Sequence, residues 1–62
     1  MTFTKRQLQI IRLSERGMTN EQIADKLCLS LKGVDYHVGK LYRALGVNNR
    51  ADAIKRYREV GA

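Results

Sequence analysis

The chain has no proline and no tryptophan, and it holds one cysteine and one histidine. A single cysteine excludes an internal disulfide framework. One cysteine with one histidine cannot complete a structural zinc site. Apolar runs reach only two or three residues, which excludes a membrane-spanning helix. After Met1 the basic pair Lys5-Arg6 leads to Gln7 and Gln9 and no apolar core follows, so no secretory signal is expected. A cytoplasmic, reducing compartment is the expectation, and it suits the unpaired Cys28. At 62 residues the chain is one small domain. A domain of that size buries only ~60% of the surface its unfolded form exposes. That excludes a two-domain enzyme with a cleft. No catalytic residue, cofactor or small-molecule ligand is expected.

Acidic residues are also scarce: 6 Asp+Glu stand against 12 Lys+Arg, for a formal charge of +6. Such an excess favours an anionic partner, with nucleic acid ahead of a membrane surface. The charge is uneven. Residues 1–31 carry 5 Lys+Arg and 3 Asp+Glu, and residues 32–62 carry 7 and 3.

What is present is helical punctuation. Thr4-Lys5-Arg6-Gln7 reads as a capping box, and a helix follows from about Lys5 to Arg16, closed by Gly17. Its apolar residues are Leu8 and Ile11, with Ile10 and Leu13 on the flank. Thr19-Asn20-Glu21-Gln22 is a second capping box. It opens a short helix that ends near Leu27. Ser30 is the next N-cap candidate, and a third helix runs from about Leu31 to Leu45 and stops at Gly46. Asn48-Asn49 supplies a last cap, for a helix from Arg50 to Val60. Two helices joined by a tight turn, the second one longer, is the helix-turn-helix plan, here spanning about 20–45 inside an all-α, four-helix chain.

The third helix is the informative one. At about 100° per residue, Val34, Val38, Leu41 and Leu45 fall within an arc of about 60° and form a core stripe. Lys32, Tyr36, Gly39, Lys40 and Arg43 share the opposite side, with Asp35 on its edge. That face suits a DNA major groove, which admits one helix and offers acceptors to Lys and Arg. Tyr36 can meet a thymine methyl or a phosphate, and Gly39 lets the axis approach. The same face could equally be a solvated helix surface; the helix-turn-helix setting favours DNA. His37 reads as a structural histidine on the core's flank. Cys28 reads as a small buried hydrophobe near the turn.

These residues carry a family resemblance. They are Phe3-Thr4-Lys5-Arg6-Gln7, Ile10-Ile11-Arg12-Leu13 and Gly17, then Thr19-Asn20-Glu21-Gln22-Ile23-Ala24 with Leu27. Ser30, Lys32, Val34, His37-Val38 and Leu41 follow, then Leu45-Gly46-Val47 and Asn49-Arg50-Ala51-Asp52-Ala53. The chain resembles the LuxR-type (FixJ/NarL, GerE-like) DNA-binding domain of bacterial transcription regulators over nearly its whole length. The resemblance implies a recognition helix at about 31–45, with base contacts at Asp35, Tyr36 and Gly39. It implies phosphate contacts near Asn20, Ser30, Gly33, Lys40, Asn49 and Arg50. It also implies that the helix at 50–60 is a candidate contact for a homodimer on double-stranded DNA, and that RNA polymerase is a candidate partner. The setting is either the C-terminal effector domain of a signal-responsive regulator or a small stand-alone regulator.

The sequence departs from the family where it often has proline (Lys5), glutamate (Gln7), threonine (Gly33), a base (Asp35), Lys or Arg (Gly39) and lysine (Ala44). Two common base-reading cations are therefore missing. Reading is expected to shift to Lys32, Tyr36, Lys40 and Arg43, with Asp35 as a discriminator that accepts from cytosine N4. Two alternatives stand beside this one. They are a sigma-factor-like promoter-recognition domain, and a protein-interaction module that kept the fold and lost DNA binding.

Overall fold

A computed structural model describes residues 3–61. Four helices follow in order: α1 Lys5–Glu15, α2 Asn20–Leu27, α3 Leu31–Leu45 and α4 Arg50–Gly61. The expected boundaries hold to within a residue. Helix α1 stops at Glu15 with Arg16 as its cap, and α4 takes in Gly61.

Each helix starts on a side chain that replaces a missing backbone partner. The Thr4 hydroxyl accepts from the Gln7 N–H at 3.1 Å, while Gln7 Oε1 accepts from the Thr4 N–H at 2.9 Å. Thr19 and Gln22 repeat this reciprocal box at 3.2 and 2.9 Å. Ser30 Oγ accepts from the Gly33 N–H at 3.0 Å. Asn49 Oδ1 accepts from the Asp52 N–H at 2.9 Å. Each such cap contributes about 1 kcal/mol.

Three helix exits also share one device. Gly17, Cys28 and Gly46 take left-handed φ values of 89°, 58° and 71°. The next residue then donates back across the turn: Met18 to Leu13 O, Leu29 to Ala24 O and Val47 to Tyr42 O. This is the Schellman closure, in which the residue after the left-handed one packs inward. Met18, Leu29 and Val47 all pack on the core. Cys28 is thereby turned outward, and the expectation of a buried cysteine is corrected: it is exposed. Leu27 and Leu29 on either side take the inward places instead.

The core is two clusters. Ile10, Leu13, Ile23, Ala24 and Val34 join α1, α2 and the start of α3. Ile11, Leu41, Leu45 and Ala53 join α1, the end of α3 and α4. Ile10 is fully buried, where the sequence placed it on the flank. Helix α1 is covered on two sides, so its apolar arc is wider than one stripe. Among the described residues, no helix is long and apolar enough to cross a membrane.

Candidate nucleic-acid interface

The core stripe of α3 fixes which way its other side faces. Val34, Leu41 and Leu45 are buried, and Val38 packs half-buried beside them. Lys32, Asp35, Tyr36, Gly39, Lys40 and Arg43 are consequently all exposed. Tyr36 is 60% exposed, unusual for so large a ring. Lys40, one turn on, holds its Nζ 5.0 Å from the centre of that ring. A cation over an exposed aromatic face is worth about 0.5–1 kcal/mol. His37 is half-buried and meets Tyr36 edge-on, with ring centres 5.5 Å apart. The two rings and Lys40 thus limit one another's motion on a helix face otherwise open to solvent.

Gly39 sits within this face. A Cβ built there meets nothing within 4 Å, so no intramolecular packing requires a glycine. Gly33 differs, since a Cβ there would lie 3.2 Å from Ser30 Oγ. Glycine at this position leaves the N-cap hydroxyl undisturbed.

The remaining expected residues form a second group around the turns. Ser30 and Asn49 are caps, as described. Asn49 is further engaged, since its Nδ2 donates to Asn48 Oδ1 at 3.1 Å and to Asp52 Oδ2 at 3.0 Å. Arg50 is half-buried. Its Nη1 donates to the Met18 carbonyl, and its Nη2 donates to Asn20 Oδ1 at 2.9 Å. Asn20 Nδ2 in turn donates to Asp35 Oδ1 at 3.3 Å. The structure therefore divides the ten expected residues. Lys32, Tyr36, Gly39, Lys40 and Arg43 lie together on the open face of α3. Asn20, Asp35 and Arg50 are linked across three helices, while Ser30 and Asn49 hold helix starts.

This last link is what sequence reasoning missed. Its members are separated by 15 and 30 positions, and no local pattern joins them. Residue type gives no signal either, because water satisfies an exposed acid at position 35.

The comparisons with known proteins agree with this architecture. The family model of bacterial regulatory proteins of the luxR family (GerE) matches residues 1–57. One similar solved structure is the crystal structure of response regulator ChrA of a heme-sensing two-component system. It is 34% identical, with a TM-score of 0.95 over 98% of this chain. The present chain spans 30% of the length of that regulator. Four helices with a helix-turn-helix at their centre, the open face of α3 and the family match over most of the sequence converge: the chain belongs to the luxR family of bacterial regulatory proteins and is a LuxR-type helix-turn-helix transcription-regulator domain.

Proposed function

We propose that the chain binds double-stranded DNA sequence-specifically, with α3 in the major groove, and regulates transcription without catalysing a reaction. The observation that carries this reading is the open side of α3. It presents Lys32, Lys40 and Arg43, one exposed ring and one position without a side chain, with every aliphatic anchor on the opposite side. A helix is about 10–12 Å across and the major groove about 12 Å wide. Gly39 then brings the axis close to the base edges. Lys32, Lys40 and Arg43 offer donors to guanine O6 and N7 or to phosphate, and Tyr36 offers its ring to a thymine methyl. Asp35 accepts from cytosine N4 and rejects bases that present only acceptors there.

Around this face Asn20, Ser30, Asn49 and Arg50 set the register on the phosphate backbone. The Ser30 hydroxyl accepts from Gly33 and keeps its proton to donate. Two copies meeting on a two-fold site through α4 fit the way helix-turn-helix dimers read half-sites. The proposed setting is the cytoplasm, as the DNA-binding part of a signal-responsive regulator, with RNA polymerase as a further partner.

Anisotropy titration with random and selected duplexes at several salt concentrations tests this. Log K should fall with log salt by about 0.9 for each phosphate neutralised, and selected duplexes should retain an advantage at every salt concentration. A weak response that ignores salt would overturn DNA binding. A steep response without sequence preference would overturn specific recognition.

A further inference from the structure

Asn20 stands between a residue that can only donate and one that can only accept. The Arg50 guanidinium has no acceptor, and the carboxylate of Asp35 has no donor. Only one orientation of the Asn20 amide satisfies both, with Oδ1 toward Arg50 at 2.9 Å and Nδ2 toward Asp35 at 3.3 Å. Arg50 is itself held, because its other terminal nitrogen donates to the Met18 carbonyl in the turn before α2. The chain of donors therefore starts at a backbone-anchored, half-buried group on α4 and ends on an exposed carboxylate of α3. Asp35 would otherwise be free to rotate about its side-chain torsions. A lysine or arginine at position 35 would meet the Asn20 NH2 donor to donor, and the chain of bonds would break. The acid at position 35 and the amide at position 20 are thus chemically matched.

We propose that Asn20 and Arg50 are positioning residues for base recognition at Asp35: the Asn20 amide, oriented by Arg50, holds the Asp35 carboxylate in one orientation, so α4 helps determine which base pair α3 reads. This rests on the DNA-reading role of α3 proposed above. Removing the relay does not remove the carboxylate. It frees the carboxylate to accept from more than one base edge, which lowers discrimination at one base pair and leaves the others alone.

The test uses the whole chain and a duplex that it enriches from a randomised pool, with all single-base-pair variants of that duplex, by anisotropy at fixed salt. Asp35→Ala should cut the preference at one base pair roughly tenfold, the worth of a good base contact. Asn20→Ala and Arg50→Lys should weaken every duplex by a common factor through their phosphate contacts and, beyond that, should each cut the preference at that same base pair roughly threefold relative to the other base pairs; lysine keeps the charge and loses the fork. If both variants weaken every duplex by a common factor and keep that preference, the relay is overturned and Asp35 stands alone as the reader. If Asp35→Ala changes no preference, base reading by Asp35 falls and the relay with it, while the salt titration still judges DNA binding. If no duplex is enriched, sequence-specific binding itself fails.

A compensated pair covers variants that fold poorly. Asp35→Lys should shift the preference toward guanine. Adding Asn20→Asp gives that lysine and Arg50 a shared acceptor, and should sharpen the new preference several-fold. Equal preference in the single and the double variant would overturn the relay.

Discussion

The two apolar clusters differ in what they ask of their helices. The cluster that joins α1, α2 and the start of α3 is closed by aliphatic side chains from all three. Ile10, Ile23 and Val34 have no exposed surface. The cluster that joins α4 to the rest receives one fully buried residue from α4, and it is Ala53. Ile54 and Tyr57 pack only half-buried against it. Helix α4 compensates with polar ties: Arg50 to Met18 and Asn20, and Arg58 to Glu15 at 2.7 Å. The helix-turn-helix is therefore fixed by packing, whereas α4 is placed by a small contact and directional bonds. On the proposed function, the helix that reads bases has to hold a rigid attitude to its neighbour. The directional bonds of α4 are what the proposed relay to Asp35 depends on.

The largest effect should come from the packed cluster. Ile23→Ala should cost about 2–5 kcal/mol, enough to unfold much of so small a domain, as read by urea denaturation. A cost below ~1 kcal/mol would mean that the two clusters do not differ as described. Ala53→Leu should cost about 1–3 kcal/mol by overpacking. Its amide-exchange pattern should show α4 losing protection before α2 and α3. Loss of protection in all helices together would erase the distinction.

Two variants act on backbone rather than packing. Cys28→Gly should stabilise the chain by about 1 kcal/mol in thermal unfolding, because a left-handed residue with a Cβ is strained. Gly39→Ala should also stabilise, by about 1 kcal/mol, since helical glycine is unfavourable and a Cβ there is unobstructed. The same Gly39→Ala substitution should weaken DNA binding if close approach of the axis matters. Stability and affinity would then move in opposite directions. The smallest effect should be that of Glu15→Gln, at about 0.5 kcal/mol or less, because the Arg58–Glu15 pair is solvent-exposed.

The helices were legible in the sequence because their signals are local. Thr4 with Gln7, Thr19 with Gln22, and Ser30 before Leu31 each mark a start within four residues. The open face of α3 was legible too, since helical periodicity alone separates Val34, Leu41 and Leu45 from Lys32, Tyr36 and Arg43. Residue type suggests burial for Cys28, while the exit geometry of α2 turns that position outward. A single apolar stripe on α1 leaves Ile10 on the flank, whereas α1 has neighbours on two sides. The link from Arg50 through Asn20 to Asp35 was invisible for a different reason. It depends on how three helices are docked, which no single helix encodes.

Ile10 and Ile11 are adjacent, about 100° apart around α1, and each belongs to a different cluster. This one dipeptide couples the two halves thermodynamically. If α1 leaves, both clusters lose a buried isoleucine at once, and neither remnant keeps a closed interior. A partly unfolded form with an intact helix-turn-helix and a detached first helix is therefore disfavoured, and thermal unfolding should follow a single cooperative transition.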